Sequence, residues 1–398
     1  MGKHPMRIYH ILTHSVDSEQ HPEFQGHPER LAEYNGHPNR LVRQLIRYDK
    51  KKEFEHTMIN LTRTAPRPRY DLTHRDGYPL ILFKTTISIR DPVEFSLPLI
   101  QFVRSIREDV LHVQGISSFI YDSLAPFLMG KPSIAHVRGG YFTWRAFPVS
   151  FPKYCLMAPF TLRMPRKLFV QNRSRIEKYG NYYRIPKEKM VHVPNGIDLE
   201  QFKPEQKNIA EWKGKLKLED RIGILFAGRF ENGKGILELV EAFEKLSARQ
   251  KAKLILAGTG KLEAQIRSRK NPNIILLGRI PMEQMPSLHH ACDIFALPSY
   301  SEGFPNTVLE AMACGKAVVT TPTDGTLDLV EDGKTGRMVR IGDRADLRQK
   351  LEMLIKDEAL RKELGKAARE MVERDFTWER VAQKVMGEYR KLRDEKRL

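Results

Sequence analysis

The 398-residue chain reads as an α/β protein built from two Rossmann-like, doubly wound domains facing a cleft. Three observations predict this. Short apolar runs alternate with helical patterns along the whole length, which calls for parallel sheets with crossover helices. The length exceeds what one hydrophobic core usually fills, and the alternation is interrupted near the middle, at "PNGIDLEQFKPEQ" (194–206), by turn residues and prolines. The pattern then resumes with a strand, a glycine-rich loop and a helix, the opening unit of a doubly wound sheet.

In the first half the spacing predicts strands near 6–13, 53–61, 78–84, 109–114, 133–138, 167–171 and 189–193, with helices near 39–50, 95–107, 117–129 and 145–163. Residues 14–38, with three His-Pro pairs, read as a long loop after the first strand, where α/β domains bind ligands. The second half is cleaner. Strand 222–227 runs into "GRFENGKG" (228–235) and a helix apolar at 236, 239, 240, 243 and 246. Strands 253–257, 273–277, 293–297 and 316–320 follow, each with its helix, and from Arg344 onward the chain is helical and charged.

Composition narrows the function classes. At 41% hydrophobic the chain is ordinary for a soluble globular protein, and no apolar run approaches the roughly 18 residues that span a bilayer. The start, Met-Gly-Lys-His-Pro-Met-Arg, leads directly into a strand pattern without the apolar core of a signal peptide, so a cytoplasmic location is expected. Cys155, Cys292 and Cys314 form neither a disulfide framework nor a metal-ligand spacing, and no metal is expected. His21, His27 and His37 each precede proline in the long loop and also lack ligand spacing. The net charge of +18 points to anionic partners, and its sharpest local form is Ser123 to Ile176, with nine basic residues and no acid. No helix-turn-helix, zinc-finger or ribonucleoprotein signature accompanies the charge, so a nucleic-acid-binding role rests on charge alone.

Two segments of the second half carry chemistry. "SEGFPNTVLE" (301–310) places Glu302 in a loop and Glu310 about one turn inside a helix that Pro305 suits and Asn306 can cap. The N–H groups between them sit at a positive helix end, where phosphate binds; the competing reading is a capped surface helix. In "GRFENGKG" the spacing is neither a Walker loop nor GxGxxG. Gly228 ends the strand, and Arg229 and Lys234 are able to converge on one anion; the competing reading is a solvated loop.

These segments, with "LAGTGKLE", "NIILLGRIPMEQMPSLHHACDIFALPS" and "SEGFPNTVLEAMACGKAVVTTPTDGTLDLVEDGKTGRMV", resemble the successive signatures of the family 4 (group 1) retaining glycosyltransferases. The resemblance covers most of 190–385 and includes the family's E-x7-E motif; "DVLHVQG", "GKPSIAHVRGG" and "KLFVQNRS" extend it more weakly into the first half. It implies the GT-B fold, with an acceptor-side domain over 1–196, a nucleotide-sugar domain over 197–375 and a final helix, 376–398, packing back on the first domain. It also implies a UDP- or GDP-sugar as co-substrate, no further cofactor and no metal. Arg229 and Lys234 would neutralise the diphosphate, Glu310 would accept from the ribose hydroxyls, and Glu302 would touch the donor sugar. The backbone of Gly303, Phe304, Pro305, Asn306 and Thr307 would contact sugar and phosphate, and Gly278, Arg279 and Ile280 would lie by the base. Alternatives of the same architecture are a phosphorylase, for which no pyridoxal lysine is identifiable, and a sugar-nucleotide epimerase.

On the acceptor side the match loosens. Where the family often has a histidine near the reaction centre, the aligned residue is Arg138, with His136 two positions earlier; Arg138 suits an anion and not a general base. Asn35-Gly36 is the best match to the family's glycine pair, and His112 is a further lining candidate. The acid-free stretch interleaves aromatic and basic residues in "YFTWRAFPVSFPKYCLMAPFTLRMPRK", a pattern that suits an anionic membrane boundary and a lipid-linked acceptor. The competing reading is the core and solvated rim of the first domain.

Overall fold

A computed structural model describes residues 5–15, 37–62, 67–74, 76–90, 93–116, 119–137, 151–203 and 208–395. The chain divides into two compact units. Unit 1 comprises Met1–Val193 and returns for Val381–Leu398; unit 2 is the continuous stretch Pro194–Arg380.

Unit 1 carries β1 (Met6–Ser15), β2 (Phe54–Thr62), β3 (Arg69–Thr73), β4 (Pro79–Lys84), the separate antiparallel ribbon β5 (Ile87–Arg90) and β6 (Val93–Phe95), then β7 (Val110–Gln114), β8 (Ser133–Val137), β9 (Lys167–Val170) and β10 (Met190–His192). Its main sheet runs β10-β9-β8-β7-β1-β2-β4-β3, parallel except for the edge pair β3–β4. Side chains alternate between the two faces. Tyr9, Ile11, Ile59, Leu61, Leu111, Val113, Ala135 and Val137 share one core with the helices Leu97–Ser105 and Phe119–Leu124.

The opposite face carries a row of histidines across four adjacent strands. His10 of β1 lies level with His112 of β7, and Gln114 of β7 level with His136 of β8. His56 of β2 approaches His10 through Nδ1···Nε2 at 3.0 Å, and Gln114 Nε2 lies 3.1 Å from His10 Nδ1. Neighbouring rings are 5.2 to 5.7 Å apart. All four are buried. Tyr389 of the final helix, Trp378–Asp394, covers this row and shares a 2.7 Å hydrogen bond with His112 Nδ1. Arg390 on the same helix pairs with Glu53 at 2.9 Å.

Unit 2 contains β11 (Ile222–Ala227), β12 (Ala252–Ala257), β13 (Ile274–Gly278), β14 (Ile294–Leu297), β15 (Ala317–Thr320) and β16 (Arg337–Met338), ordered β13-β12-β11-β14-β15-β16 and parallel throughout. Every residue of β12, β14 and β15 is buried, as expected for parallel strands covered on both faces. Helix Ile236–Glu244 turns Ile236, Leu239, Val240 and Phe243 into the core. Asp343 caps Arg344–Lys356 by accepting from the N–H groups of Ala345 and Asp346, and Asp357 caps Glu358–Asp375 through Leu360. Entry and exit of the unit are tied by backbone bonds, Ile197 N–H to Phe376 O at 2.8 Å and Trp378 N–H to Ile197 O at 3.2 Å.

The structure departs from the sequence expectations in several places. Strands β3, β5, β6 and β16 and the helix Arg173–Tyr183 were not expected. The helical pattern expected over 145–163 is described from residue 151 onward and includes a π-helical stretch, Pro152–Met157. The long loop narrows, since β1 runs to Ser15 and a helix begins at His37. Asn35, Gly36, Arg138, His21 and His27 lie outside the described residues.

Candidate functional site

In unit 2 the strand order reverses beside β11. The chain steps outward through β12 and β13, then returns to place β14 on the other flank of β11. The carboxyl ends of β11 and β14 therefore diverge into loops 228–235 and 298–305, the position where open α/β sheets bind ligands. The structure brings both sequence-identified segments to this point.

Lys234 Nζ lies 2.7 Å from Glu302 Oε1, and Ser299 Oγ donates to the same oxygen at 2.7 Å. The lysine side chain is 22% exposed and the glutamate 10%, so the pair is shielded yet open to a small ligand. Two close backbone approaches fix the loops. Gly235 is left-handed (φ +66°), and a Cβ there would fall 2.0 Å from Pro298 O. A Cβ on Gly325 would fall 2.4 Å from Gly303 O, while its N–H donates to Glu302 O at 3.0 Å. Tyr300 adds a clip: its N–H donates to Gly233 O at 3.0 Å and its hydroxyl to Glu238 at 2.9 Å, which raises the phenol pKa.

Arg229 does not share the focus of Lys234. It is 73% exposed and paired with Glu231 at 3.2 Å, so each cation is held by its own carboxylate. Asn306 does not cap its helix. Pro305 occupies the N-cap and Asn306 is the first residue of Asn306–Ala313, its Oδ1 accepting from Asn195 Nδ2 at 2.8 Å. The helix thus starts without a side-chain cap; Gly303 and Phe304 lie in the loop before it, and Thr307 lies in its first turn, whose N–H groups have no partner within the helix.

Glu310 is buried in the second turn of that helix, 3.8 Å from His289 Nε2. Cys314, four residues further on, is chemically quiet: burial pushes its thiol up to about 12, as it does for Cys292. Gly278 closes β13 in the left-handed region (φ +71°) and accepts from Gly258 N–H at 2.7 Å; Arg279 beside it is exposed and Ile280 half-buried against the core.

Unit 1 corrects two assignments. His112 is fully buried beneath Tyr389, its strand position facing the covered side of the sheet. His136 is 2% exposed, its ring parallel to His112 at 5.7 Å and edge-on to Phe169, so it is packed against the sheet. Ser299, Tyr300, Asn195, Gly325 and His289 were missed. Ser299 alone had a sequence signal, as a polar residue ending an apolar strand in "FALPSYSEG".

Two family models match the chain: "Glycosyltransferase Family 4" over residues 38–201 and "Glycosyl transferases group 1" over 208–371. The capsular polysaccharide biosynthesis glycosyltransferase CapM of Staphylococcus aureus is 33% identical over 198 residues, 47% of this chain and 51% of that protein. An N,N'-diacetylbacillosaminyl-diphospho-undecaprenol alpha-1,3-N-acetylgalactosaminyltransferase of Campylobacter jejuni is 29% identical over 58% of this chain and 62% of its own. The chain thus spans about half the length of the first of these relatives and under two thirds of the second. Among solved structures, Anabaena Alr3699/HepE in complex with UDP and glucose superposes with a TM-score of 0.68 over 96% of this chain and 98% of its own, at 17% identity.

Proposed function

The chain belongs to the family 4 (group 1) glycosyltransferases of GT-B fold, and from that premise we propose that it moves a sugar from a nucleotide-diphosphate donor, with retention, to a hydroxyl of a membrane-borne acceptor. The observation that carries this is the shielded Lys234–Glu302 pair at the switch point of unit 2. Breaking a glycosyl–phosphate bond needs charge stabilisation on the departing diphosphate, and a fixed cation beside helix-end N–H groups supplies it. An arriving diphosphate competes for Lys234. Glu302, still held by Ser299, is then free to accept from the sugar hydroxyls. Glu310, one turn into the helix, takes the ribose, and Arg229 swings from Glu231 to the diphosphate. The cation role thus falls to side chains, which is the basis for expecting metal-independent turnover. UDP in one structural relative and a diphospho-undecaprenol substrate in the name of a sequence relative support a nucleotide sugar and a lipid-linked acceptor.

The membrane part of the reading rests on unit 1. Along the helical stretch 151–161, Leu156 and Phe160 are 56% and 65% exposed, with Phe151 also exposed. Arg163, Arg166 and Lys167 follow at once, and Lys189 joins them, its pKa lowered by burial and by those three cations. Each cation near an anionic surface contributes about 1 kcal/mol, and the exposed rings and aliphatic chains add insertion. No helix among the described residues is long and apolar enough to cross a membrane, so attachment would be peripheral.

Transfer from a panel of UDP- and GDP-sugars, read as release of nucleoside diphosphate, tests the reaction. Loss of donor-dependent release in Lys234→Ala and Glu302→Gln, with both proteins folded, is expected; unchanged rates in both would refute the site. Co-sedimentation with acidic vesicles, lost on Leu156→Ser/Phe160→Ser or at high salt, tests the membrane part, and no binding at low salt would leave a soluble acceptor.

A further inference from the structure

His289 has no place in the chemistry so far, yet its surroundings are unusual. The imidazole is fully buried on the helix Met285–Ala291, packed at 5.4 Å from the ring of Phe295. Among the described residues neither ring nitrogen has a hydrogen-bond partner. Its neighbour His290 is satisfied in the ordinary way, through Nε2 and Lys203 O at 2.9 Å. A buried imidazole with both nitrogens unmet is costly, and native folds rarely keep one without a use.

The nearest polar group is Glu310 Oε2, at 3.8 Å. That is too long for a hydrogen bond, which needs about 2.7–3.2 Å, but a small rotation of the glutamate closes it. Glu310 differs in keeping an edge of its carboxylate open to solvent. Its side chain is 7% exposed, and among the described residues no donor or cation lies closer to the carboxylate than His289. A buried, unmet imidazole thus faces the inner edge of the carboxylate across the two helices.

We propose that His289 is the positioning residue for Glu310: its Nε2–H fastens the inner edge of the carboxylate so that the outer edge is presented to the two ribose hydroxyls of the donor. This rests on the reading of Glu310 as the ribose acceptor. A carboxylate has about four lone-pair sites, so it takes one N–H and two hydroxyls together. In the free protein the gap stays open. When the ribose binds, the carboxylate moves inward, and the cost of the buried, unmet imidazole is recovered as affinity. The binding energy gained is therefore specific to ligands with a ribose diol.

Isothermal titration separates this from a packing role. The ligands are UDP and GDP, whichever binds the native protein more tightly, the matching 2′,3′-dideoxy nucleotide, and inorganic pyrophosphate. Native protein prefers the diol-bearing nucleotide, and Glu310→Gln abolishes the preference. His289→Phe, which keeps an apolar ring in the buried site, reduces the preference about tenfold, the worth of one charge-assisted hydrogen bond, with pyrophosphate affinity unchanged. His289→Gln, which retains an N–H donor, recovers part of it, and Glu310→Gln/His289→Phe binds no worse than Glu310→Gln. A His289→Phe protein that keeps the native preference, or that loses affinity for all three ligands equally without rescue by glutamine, overturns the proposal while leaving Glu310 in place. If Glu310→Gln keeps the preference, or neither nucleotide binds, the ribose reading itself fails.

Discussion

The histidine row of unit 1 makes a quantitative prediction about acid. His56 is buried beside His10, and burial lowers its pKa from the ordinary 6.5 to about 4. Between these values the unfolded chain binds a proton that the folded chain refuses, so folding stability rises with pH in this window. The contribution is fully present above pH 6.5 and is lost as pH falls toward 4. A 2.5-unit difference at about 1.36 kcal/mol per unit gives roughly 3 kcal/mol. His56→Asn is the suitable perturbation, because Oδ1 of asparagine replaces the Nδ1 that faces His10 Nε2 and does not titrate near neutrality. Denaturant unfolding of both proteins at pH 8, 6.5, 5.5 and 4.5, followed by hydrogen-exchange protection of β1, β2 and β7, isolates unit 1 from unit 2. The variant should start less stable at pH 8 by about 1–2 kcal/mol for the lost ring contacts, then fall less steeply, so that the two proteins converge near pH 4.5. If protection in the variant declines between pH 6.5 and 4.5 as steeply as in native protein, His56 is not the group that titrates and the argument is wrong.

Other outcomes follow from the site in unit 2. Lys234→Ala should weaken nucleoside diphosphate binding by at least tenfold and Arg229→Ala by less, since only Lys234 is shielded from solvent; calorimetry giving the reverse order would contradict the geometry. Glu302→Gln should spare diphosphate binding and depress transfer, whereas Glu310→Gln should weaken the nucleotide itself, and equal affinity losses would collapse the division of roles. Turnover should persist in EDTA, and loss of activity restored by Mg²⁺ or Mn²⁺ would replace Lys234 with a metal as the principal counter-charge. Gly235→Ala should cost at least about 2 kcal/mol or refold the loop, because the left-handed backbone and the Pro298 carbonyl both oppose a side chain; a thermal midpoint equal to native protein would show the contact to be soft.

How far the sequence carried this structure depended on where each element's information lies. Parallel central strands such as β11 and β12 are nearly continuous apolar runs, broken in β12 only by Lys253, so Ile222–Ala227 and Ala252–Ala257 are readable without a partner. Edge strand β3, Arg-Tyr-Asp-Leu-Thr, carries charge on a solvent-facing edge and has no such run. Helix Arg173–Tyr183 is polar along much of its length; its only written signal was Asn172, whose side chain accepts from Arg175 N–H at the cap. Lys234 and Glu302 were individually legible from loop composition, but their pairing depends on β11 and β14 being neighbours in the sheet, which strand spacing along the chain does not state. His289 carried no signal at all, because its only distinction is what it lacks in three dimensions. The burial of His112 and His136 was not legible either. The structure puts the two on one face, and the helix that covers that face comes 250 residues or more downstream, at Tyr389.

That late arrival of Tyr389 has a consequence for synthesis. Unit 2 is contiguous, whereas unit 1 needs residues from both chain ends. A ribosome that has finished β10 must still translate Pro194 through Arg380 before it reaches the helix that closes the histidine row. At about 5–20 residues per second this interval is roughly 10–40 s. For that time the first-made domain stands with its histidine row uncovered, while the second-made domain can already complete its fold. The order of completion is thus the reverse of the order of translation. A chain cut short between Arg380 and Tyr389 would leave an intact unit 2 attached to a unit 1 whose histidine row is uncovered, a natural target for chaperones and proteases.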